Sequence, residues 1–376
     1  MAGSPKYTAL RAEHERLGAS FTDFGGWQMP LKYRSELAEH HAVRRSAGLF
    51  DLSHMGEVWV TGPDAAAFLD HALVGKISAM AVGRAKYSLI CAEDGGVIDD
   101  LITYRRPDAF LVVPNAGNAE VVVAALHERA KEFDVTVDDA SARTSLIAVQ
   151  GPKAEAILLR LIPAGQQELL TTLKYYAAVE ITVTDLDLLV ARTGYTGEDG
   201  FEIFVANDDA TDVWRAIEAA AVDGELTPCG LAARDSLRLE AGMPLYGNEL
   251  SRDGDPFAAG LGGVVALSKE QFVGKEALAH RKTVFANSKE VGSARKLVGL
   301  TGTGRRSPRS HYPVLKDGVV VGEITSGQPS PTLGVPVALA YVDAEHAEPG
   351  TALHVDLRGK PEPFEVTALP FYQRQK

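Results

Sequence analysis

The sequence predicts an α+β protein in which a duplicated, ferredoxin-like region is followed by a small C-terminal β-barrel. Three observations carry that expectation. First, a strand running into Gly-Pro and a helix occurs twice, in GEVWVTGPDAAAFLDHAL and SLIAVQGPKAEAILLRLI, with Gly62 and Gly151 89 residues apart. Second, a strand followed by Asn and a helix also occurs twice, in AFLVVPNAGNAEVVVAALHERA and FEIFVANDDATDVWRAIEAAA, with Asn115 and Asn207 92 residues apart. Similar offsets at two landmarks imply tandem β-α-β-β-α units packed about a pseudo-twofold axis, with a cleft at their junction. Third, KLVGLTG, HYPVLKDGVVVGEITSG, PVALAYVDA, TALHVDLRG and PFEVTALPF are short strands between Gly, Pro and Asp-Gly turns, the pattern of a small barrel. These readings divide the chain into a first region at 1–278, with repeats at approximately 55–140 and 141–225, a charged connector at 279–295 and a barrel at 296–376.

Taken in order, MAGSPKYTALRAEHERLGASF lacks the apolar core of a signal peptide and carries Glu13 and Glu15, unlike an acid-poor transit peptide, so a cytoplasmic protein is expected. Tyr7–Leu17 reads as an amphipathic helix ended by Gly18, and Phe21–Leu31 as an irregular aromatic segment. Glu36–Ser46 reads as a second helix, stopped at Gly48. Its His40 and His41 face about 100° apart, and no H-E-x-x-H spacing occurs among the ten histidines, so no metal site is expected. Glu57–Thr61 reads as a strand, with Pro63 in the first turn of the following helix, where a missing N–H costs nothing.

CAEDGGVIDDLITY reads as a hairpin turning at Asp94-Gly95-Gly96. Alternation places Asp100 with Ile98, Ile102 and Tyr104, and Asp99 with Val97, Leu101 and Thr103. Either this is an acidic pair beside a solvated hairpin, or one carboxylate faces a polar cavity or a ligand.

Composition narrows the partners. With 50 acidic against 38 basic residues among 376 the net charge is −12, which argues against nucleic acid or anionic membrane because little would neutralise phosphate. No stretch reaches the ~18 apolar residues of a membrane span. Cys91 and Cys229 are too few for a disulfide framework or a zinc site and read as buried thiols in a reducing compartment.

The chemistry concentrates in RTGYTGEDGFEIFV, residues 192–205. Gly194, Gly197 and Gly200 read as positive-φ positions of a reversal, after which Glu202 alternates with Phe201 and Ile203. A strand-fixed carboxylate can accept from two adjacent N–H groups on a flat heterocycle, and the alternative is an exposed Glu on a solvated hairpin. Dinucleotide binding is disfavoured, because the spacing is G-x-x-G-x-x-G and a strand follows where a phosphate-binding helix is needed. In the helix CGLAARDSLRLEAG, Arg234 lies on the apolar stripe with Leu231 and Leu237, so its guanidinium calls for an anionic partner.

FGGWQMPL, LFDLSHMGE, GGVIDD, LIAVQGPKA, RTGYTGEDGFE, GLAARDSLRLEAGMPLYGNEL, FVGKEAL and GEITSGQPSPTLGVPVALAYV together resemble the aminomethyltransferase, or T-protein, family of the glycine cleavage system. The resemblance spans nearly the whole chain and implies a folate-binding first region. It implies transfer of the carbon of an aminomethyl group from the dihydrolipoyl arm of an H-protein to tetrahydrofolate, with release of ammonia and 5,10-methylenetetrahydrofolate. It implies that Glu202 binds the pterin edge and that Asp100, the second Asp of GGVIDD, stabilises cationic character near N5 and N10 and organises proton transfer. Arg234 matches another ligand-binding position, Tyr87, Asn115, Tyr195 and Tyr246 match the cavity lining, and Met55 matches an apolar contact. The tail departs from the family pattern, with Gln373 where an Arg is common, and Arg374 is the residue that would substitute. Sarcosine and dimethylglycine dehydrogenases share this architecture but add a flavin-binding unit with G-x-G-x-x-G, which this chain lacks. A non-catalytic folate-binding accessory protein of the iron–sulfur assembly type is the alternative from another class; its K-G-C-Y-type motif would fall at QFVGKEAL, which has no Cys. A catalytically idle folate carrier is a further alternative.

Overall fold

The computed structural model describes residues 5–290 and 294–374. The chain opens with a short helix α1 (Arg11–Arg16), strands β1 (Ser20–Phe24) and β2 (Trp27–Lys32), helix α2 (Glu36–Arg45) and strand β3 (Ala47–Asp51). Two expectations change here. The helix expected over Tyr7–Leu17 shrinks to α1, because Thr8 instead donates its hydroxyl to the buried carboxylate of Asp51 at 2.6 Å. The segment expected to be irregular is a β1–β2 hairpin, in which Gly25 and Gly26 take φ of +60° and +85°, the two left-handed residues a tight hairpin turn requires.

The first repeat runs β4 (Val58–Thr61), α3 (Ala65–Ala72), β5 (Ala85–Cys91), β6 (Val97–Arg105), β7 (Ala109–Pro114), α4 (Ala119–Arg129) and β8 (Thr136–Asp139). The second runs β9 (Thr144–Gln150), α5 (Ala154–Leu159), α6 (Gln167–Thr171), β10 (Ala178–Val183), β11 (Leu186–Ala191), β12 (Gly200–Ala206), α7 (Asn207–Ala220) and β13 (Leu226–Pro228). The sheet orders are β5-β6-β7-β4-β8 and β10-β11-β12-β9-β3-β13. Corresponding strands thus occupy corresponding places, apart from β3, which is inserted between β9 and β13 in the second sheet. The duplication is present, but each repeat holds three consecutive strands after its first helical segment, where the β-α-β-β-α expectation had two.

After β13 come α8 (Leu231–Glu240), α9 (Lys275–Glu290) and the strands β14 (Arg295–Gly302), β15 (Pro313–Lys316), β16 (Val319–Pro329), β17 (Pro336–Asp343), β18 (Ala352–Asp356) and β19 (Pro361–Thr367). These six strands form a closed barrel ordered β14-β17-β16-β15-β18-β19, with β19 pairing back onto β14. Most of the stretch expected as a connector, 279–295, is helical in α9; residues 291–293 of it lie outside the described residues.

The chain divides into two compact units, one of residues 1–69, 77–87 and 101–235, the other of 70–76, 88–100 and 236–376. In the first, Phe201, Ile203 and Val205 of β12 join Ile147, Val149 and Val190 under Val213, Trp214 and Ile217 of α7 to form an apolar core. The opposite face of β12 carries Glu202 and Phe204. In the second unit, the barrel closes around Leu300, Val314, Ile324, Ala340, Val355 and Phe364. Lys269 donates its ammonium to the carbonyls of Asp70 (2.6 Å) and Gly75 (2.9 Å), tying down the segment that follows α3. Among the described residues no helix is long and apolar enough to cross a membrane.

The repeated Gly-Pro has one physical cause. Gly62 and Gly151 take φ of +113° and +130° where strand turns into helix, and an added Cβ would sit 2.5 Å from the Asp134 and Ser46 carbonyl oxygens respectively. We expect Gly151→Ala to cost about 3 kcal/mol or more, and Gly318→Ala, at φ +82° with open space around it, about 1 kcal/mol. Urea unfolding of the two variants checks this, and equal losses would remove the steric account.

Candidate functional site

Only Gly197 of the three glycines in residues 192–200 has a positive φ, +79°. Gly194 and Gly200 are needed for a different reason, since a Cβ on them would lie 2.1 Å from Oε1 and 2.5 Å from Cδ of the buried Gln150. Gln150 Nε2 donates to the Thr193 carbonyl (3.0 Å) and its Oε1 accepts from the Thr196 hydroxyl (2.9 Å). Arg44 donates to the Thr196 carbonyl (2.7 Å) and pairs with Glu198 (3.0 Å), while the Arg192 guanidinium forks onto Asp199. The loop before β12 is therefore fixed by side chains from β9 and α2 and by an ion pair within the loop.

Glu202 is 8% exposed, so the solvated-hairpin alternative does not hold. Its register partners on the adjacent strands are Ala191 and Ala148, whose methyl groups leave the carboxylate uncovered by its own sheet. The Thr193 hydroxyl donates to Glu202 Oε2. The Tyr104 hydroxyl, from β6 of the first repeat, lies 2.9 Å from Thr193 Oγ1 and 3.3 Å from Glu202 Oε2. Oε1 of Glu202 has no hydrogen-bond partner among the described residues. Burial, reinforced by the Glu202 charge, holds the Tyr104 phenol well above its ordinary pKa, so it remains a donor.

Arg234 projects from α8 with its guanidinium 4.9 Å from the ring centroid of Tyr195. No carboxylate among the described residues hydrogen-bonds it. Burial lowers its pKa from the ordinary value, and the charges of Glu202 and Tyr195 oppose that shift. His54 lies in the same unit, its ring edge-on to Phe24 at 5.4 Å. Burial pushes its pKa down to about 4, the Arg234 charge adds to the shift and Asp51 opposes it, so the imidazole is neutral at pH 7.

Glu202, Arg234 and Tyr195 thus come together in the first unit. Met55 and Asn115 lie half-buried on adjoining segments of the same unit, where the Gly56 amide donates to the Pro114 carbonyl (3.1 Å), and Tyr87 is half-buried on β5. In the second unit, Asp100 is half-buried on β6 and Asp99 fully buried. Tyr246 donates to the Val97 carbonyl (2.9 Å), and its pKa is raised by burial and by the charges of Asp99 and Asp100. Arg374 is half-buried in the tail, which is held by the Tyr372 amide on the Glu240 carbonyl (2.8 Å) and by Phe371 against Leu239, Val337 and Leu339. Arg238 pairs with Glu249 (3.1 Å), and Glu240 accepts from the Thr332 hydroxyl (2.7 Å). Both cysteines are buried thiols, and among the described residues no His, Cys, Asp and Glu cluster is arranged for a metal.

Residues 10–269 match the GCVT N-terminal domain and residues 295–373 the glycine cleavage T-protein C-terminal barrel domain. The chain belongs to the glycine cleavage T-protein family. Its relatives include aminomethyltransferases of Streptomyces avermitilis, 57% identical with all of both chains covered, and Bacillus subtilis, 44% identical over 98% of this chain and 99% of that one. The crystal structure of glycine cleavage system aminomethyltransferase T from Bartonella henselae superposes with a TM-score of 0.88 at 37% identity, covering 98% of this chain and 99% of that chain. The family resemblance read from the motifs therefore holds over both T-protein domains.

Sequence reasoning missed Thr193, Tyr104 and His54. The first lies within the segment already singled out, and a short polar side chain in the loop just before the Glu202 strand was the available signal. Tyr104 is 98 residues from Glu202, and nothing local marks it. His54 adds a pH dependence. The unfolded chain binds this proton near pH 6.5 and the folded chain only near pH 4, so stability falls as pH drops through that window. We expect the wild type to lose about 2 kcal/mol more than His54→Gln between pH 7 and pH 5. Urea unfolding at the two pH values checks this, and equal losses would exclude His54 as the source.

Proposed function

We propose that this aminomethyltransferase of the glycine cleavage system takes the one-carbon unit of an aminomethyl group from the lipoyl arm of an H-protein and passes it to tetrahydrofolate, releasing ammonia and 5,10-methylenetetrahydrofolate. The observation that carries the reading is the pairing of two incompletely satisfied charges. Among the described residues, Glu202 keeps one oxygen without a hydrogen-bond donor and the guanidinium of Arg234 has no carboxylate bonded to it. Glu202 is buried and Arg234 half-buried, and a buried charge in that condition is expensive unless a ligand completes it. Folate suits both, with an N–H and an exocyclic amine side by side on the pterin and carbonyl and carboxylate oxygens elsewhere. When bound, tetrahydrofolate supplies the amine nitrogens that accept the carbon.

In this reading Glu202 orients the pterin, Arg234 takes an anionic or carbonyl group and Tyr195 supports it from below. Asp100 stabilises the positive charge that develops as the carbon–sulfur bond breaks, and holds the proton leaving the acceptor amine. Tyr87, Asn115, Tyr246, Met55 and Arg374 are the further ligand-contact candidates that the family motifs suggest. The two buried thiols support a cytoplasmic location.

The test mixes the purified protein with tetrahydrofolate and aminomethyl-loaded H-protein and follows ammonia and methylenetetrahydrofolate together. Equal release of both is expected, whereas folate binding without either product would favour a carrier. Asp100→Asn should keep most folate affinity and lower turnover by about 10² or more; unchanged turnover would remove Asp100 from the chemistry. Glu202→Gln should weaken folate binding by roughly 2 kcal/mol, since an acceptor becomes a donor facing a donor. Titration calorimetry giving wild-type affinity would take Glu202 out of the site.

A further inference from the structure

We propose that Thr193 and Tyr104 are positioning residues that fix the Glu202 carboxylate by one oxygen, so that the other remains available to the ligand. The inference rests on the reading of Glu202 as a folate-binding group. An ionised carboxylate only accepts hydrogen bonds, so the single Thr193 hydroxyl proton goes to Glu202 Oε2. The Thr193 oxygen is then the acceptor for Tyr104, at 2.9 Å, and this contact is shorter than the 3.3 Å from Tyr104 to Oε2. The result is a donor chain, Tyr104 to Thr193 to Glu202, directed at one carboxylate oxygen. Each link is stiff. Tyr104 is 1% exposed and packs edge-on against Phe204 at 5.6 Å. Thr193 is also 1% exposed, is β-branched, and has its carbonyl held by Gln150.

The chain matters because a glutamate side chain turns about several single bonds, and a carboxylate free to turn offers a ligand no fixed acceptor. The Thr193 donor on Oε2, itself held by Tyr104, opposes that rotation and leaves Oε1 as the open acceptor.

Titration calorimetry with tetrahydrofolate on the full-length protein tests this, using Thr193→Val, Thr193→Ser, Tyr104→Phe, Glu202→Gln and the double variants with Glu202→Gln. Thr193→Val is expected to weaken binding about 10- to 100-fold, Tyr104→Phe about 3- to 10-fold, and Thr193→Ser, which keeps the donor, less than about threefold. At saturating folate the Thr193→Val turnover should stay within about threefold, so that the loss falls on KM. In the Glu202→Gln background the Thr193→Val loss should shrink to below about twofold, because the two act as one unit. Wild-type affinity in Thr193→Val alongside a weakened Glu202→Gln would overturn the positioning role alone, as would full additivity of the two changes. Wild-type affinity in Glu202→Gln would remove the folate reading beneath it and the proposal with it. Should Thr193→Val fail to fold by circular dichroism, the Tyr104→Phe and Glu202→Gln cycle decides by the same criterion of coupling against additivity.

Discussion

An ionised carboxylate taken out of water costs several kcal/mol unless donors and an opposite charge replace its hydration, and the first unit is organised around meeting that cost at Glu202. The residue sits in an interior strand, flanked on one side by β11 and on the other by β9. Its own sheet offers it only alanine methyls. Compensation therefore has to come from outside that sheet, and it does, from a hydroxyl in the loop before the strand, a phenol in the other repeat and the field of a guanidinium on α8. The packing of one repeat on the other is what brings the phenol to Glu202.

The rigidity of the surrounding loop follows from the same constraint. A hydrogen bond to a charge is strong only when its donor is held at the right distance and angle. The pinning by Gln150, Arg44 and the Arg192–Asp199 fork serves that end. The glycines of this loop are part of the pinning, since their missing side chains admit Gln150 to the backbone.

Much of this was legible in the sequence. The spacing of Gly62 and Gly151 announced the duplication, and period-2 alternation put Glu202 on the face opposite Phe201 and Ile203, where it lies. The barrel strands were marked by their turns. What escaped has physical causes. A glycine required by a positive φ and one required by a close neighbour look alike in a sequence, and Gly194 and Gly200 are of the second kind. The Phe21–Leu31 stretch concealed a hairpin because Met29 and Pro30 break the alternation on one strand. Tyr7 and Thr8 have helical neighbours, but a tertiary hydrogen bond to Asp51 overrides local preference there. The link from Tyr104 to Glu202 depends on how two repeats pack, which no local pattern records.

The insertion of β3 into the second sheet bears on how the chain matures. The sheet of the first repeat draws all five strands from residues 58–139, so it has every part it needs once that stretch is synthesised. The second sheet is built differently: β3, from residues 47–51, pairs with β9 on one side and with the late strand β13 on the other. An early segment must therefore wait, with its backbone groups unpaired, while about a hundred further residues emerge from the ribosome. Although the repeats copy one plan, they are not separable modules. A chain severed between them would leave the second half short of a strand that only the first half carries.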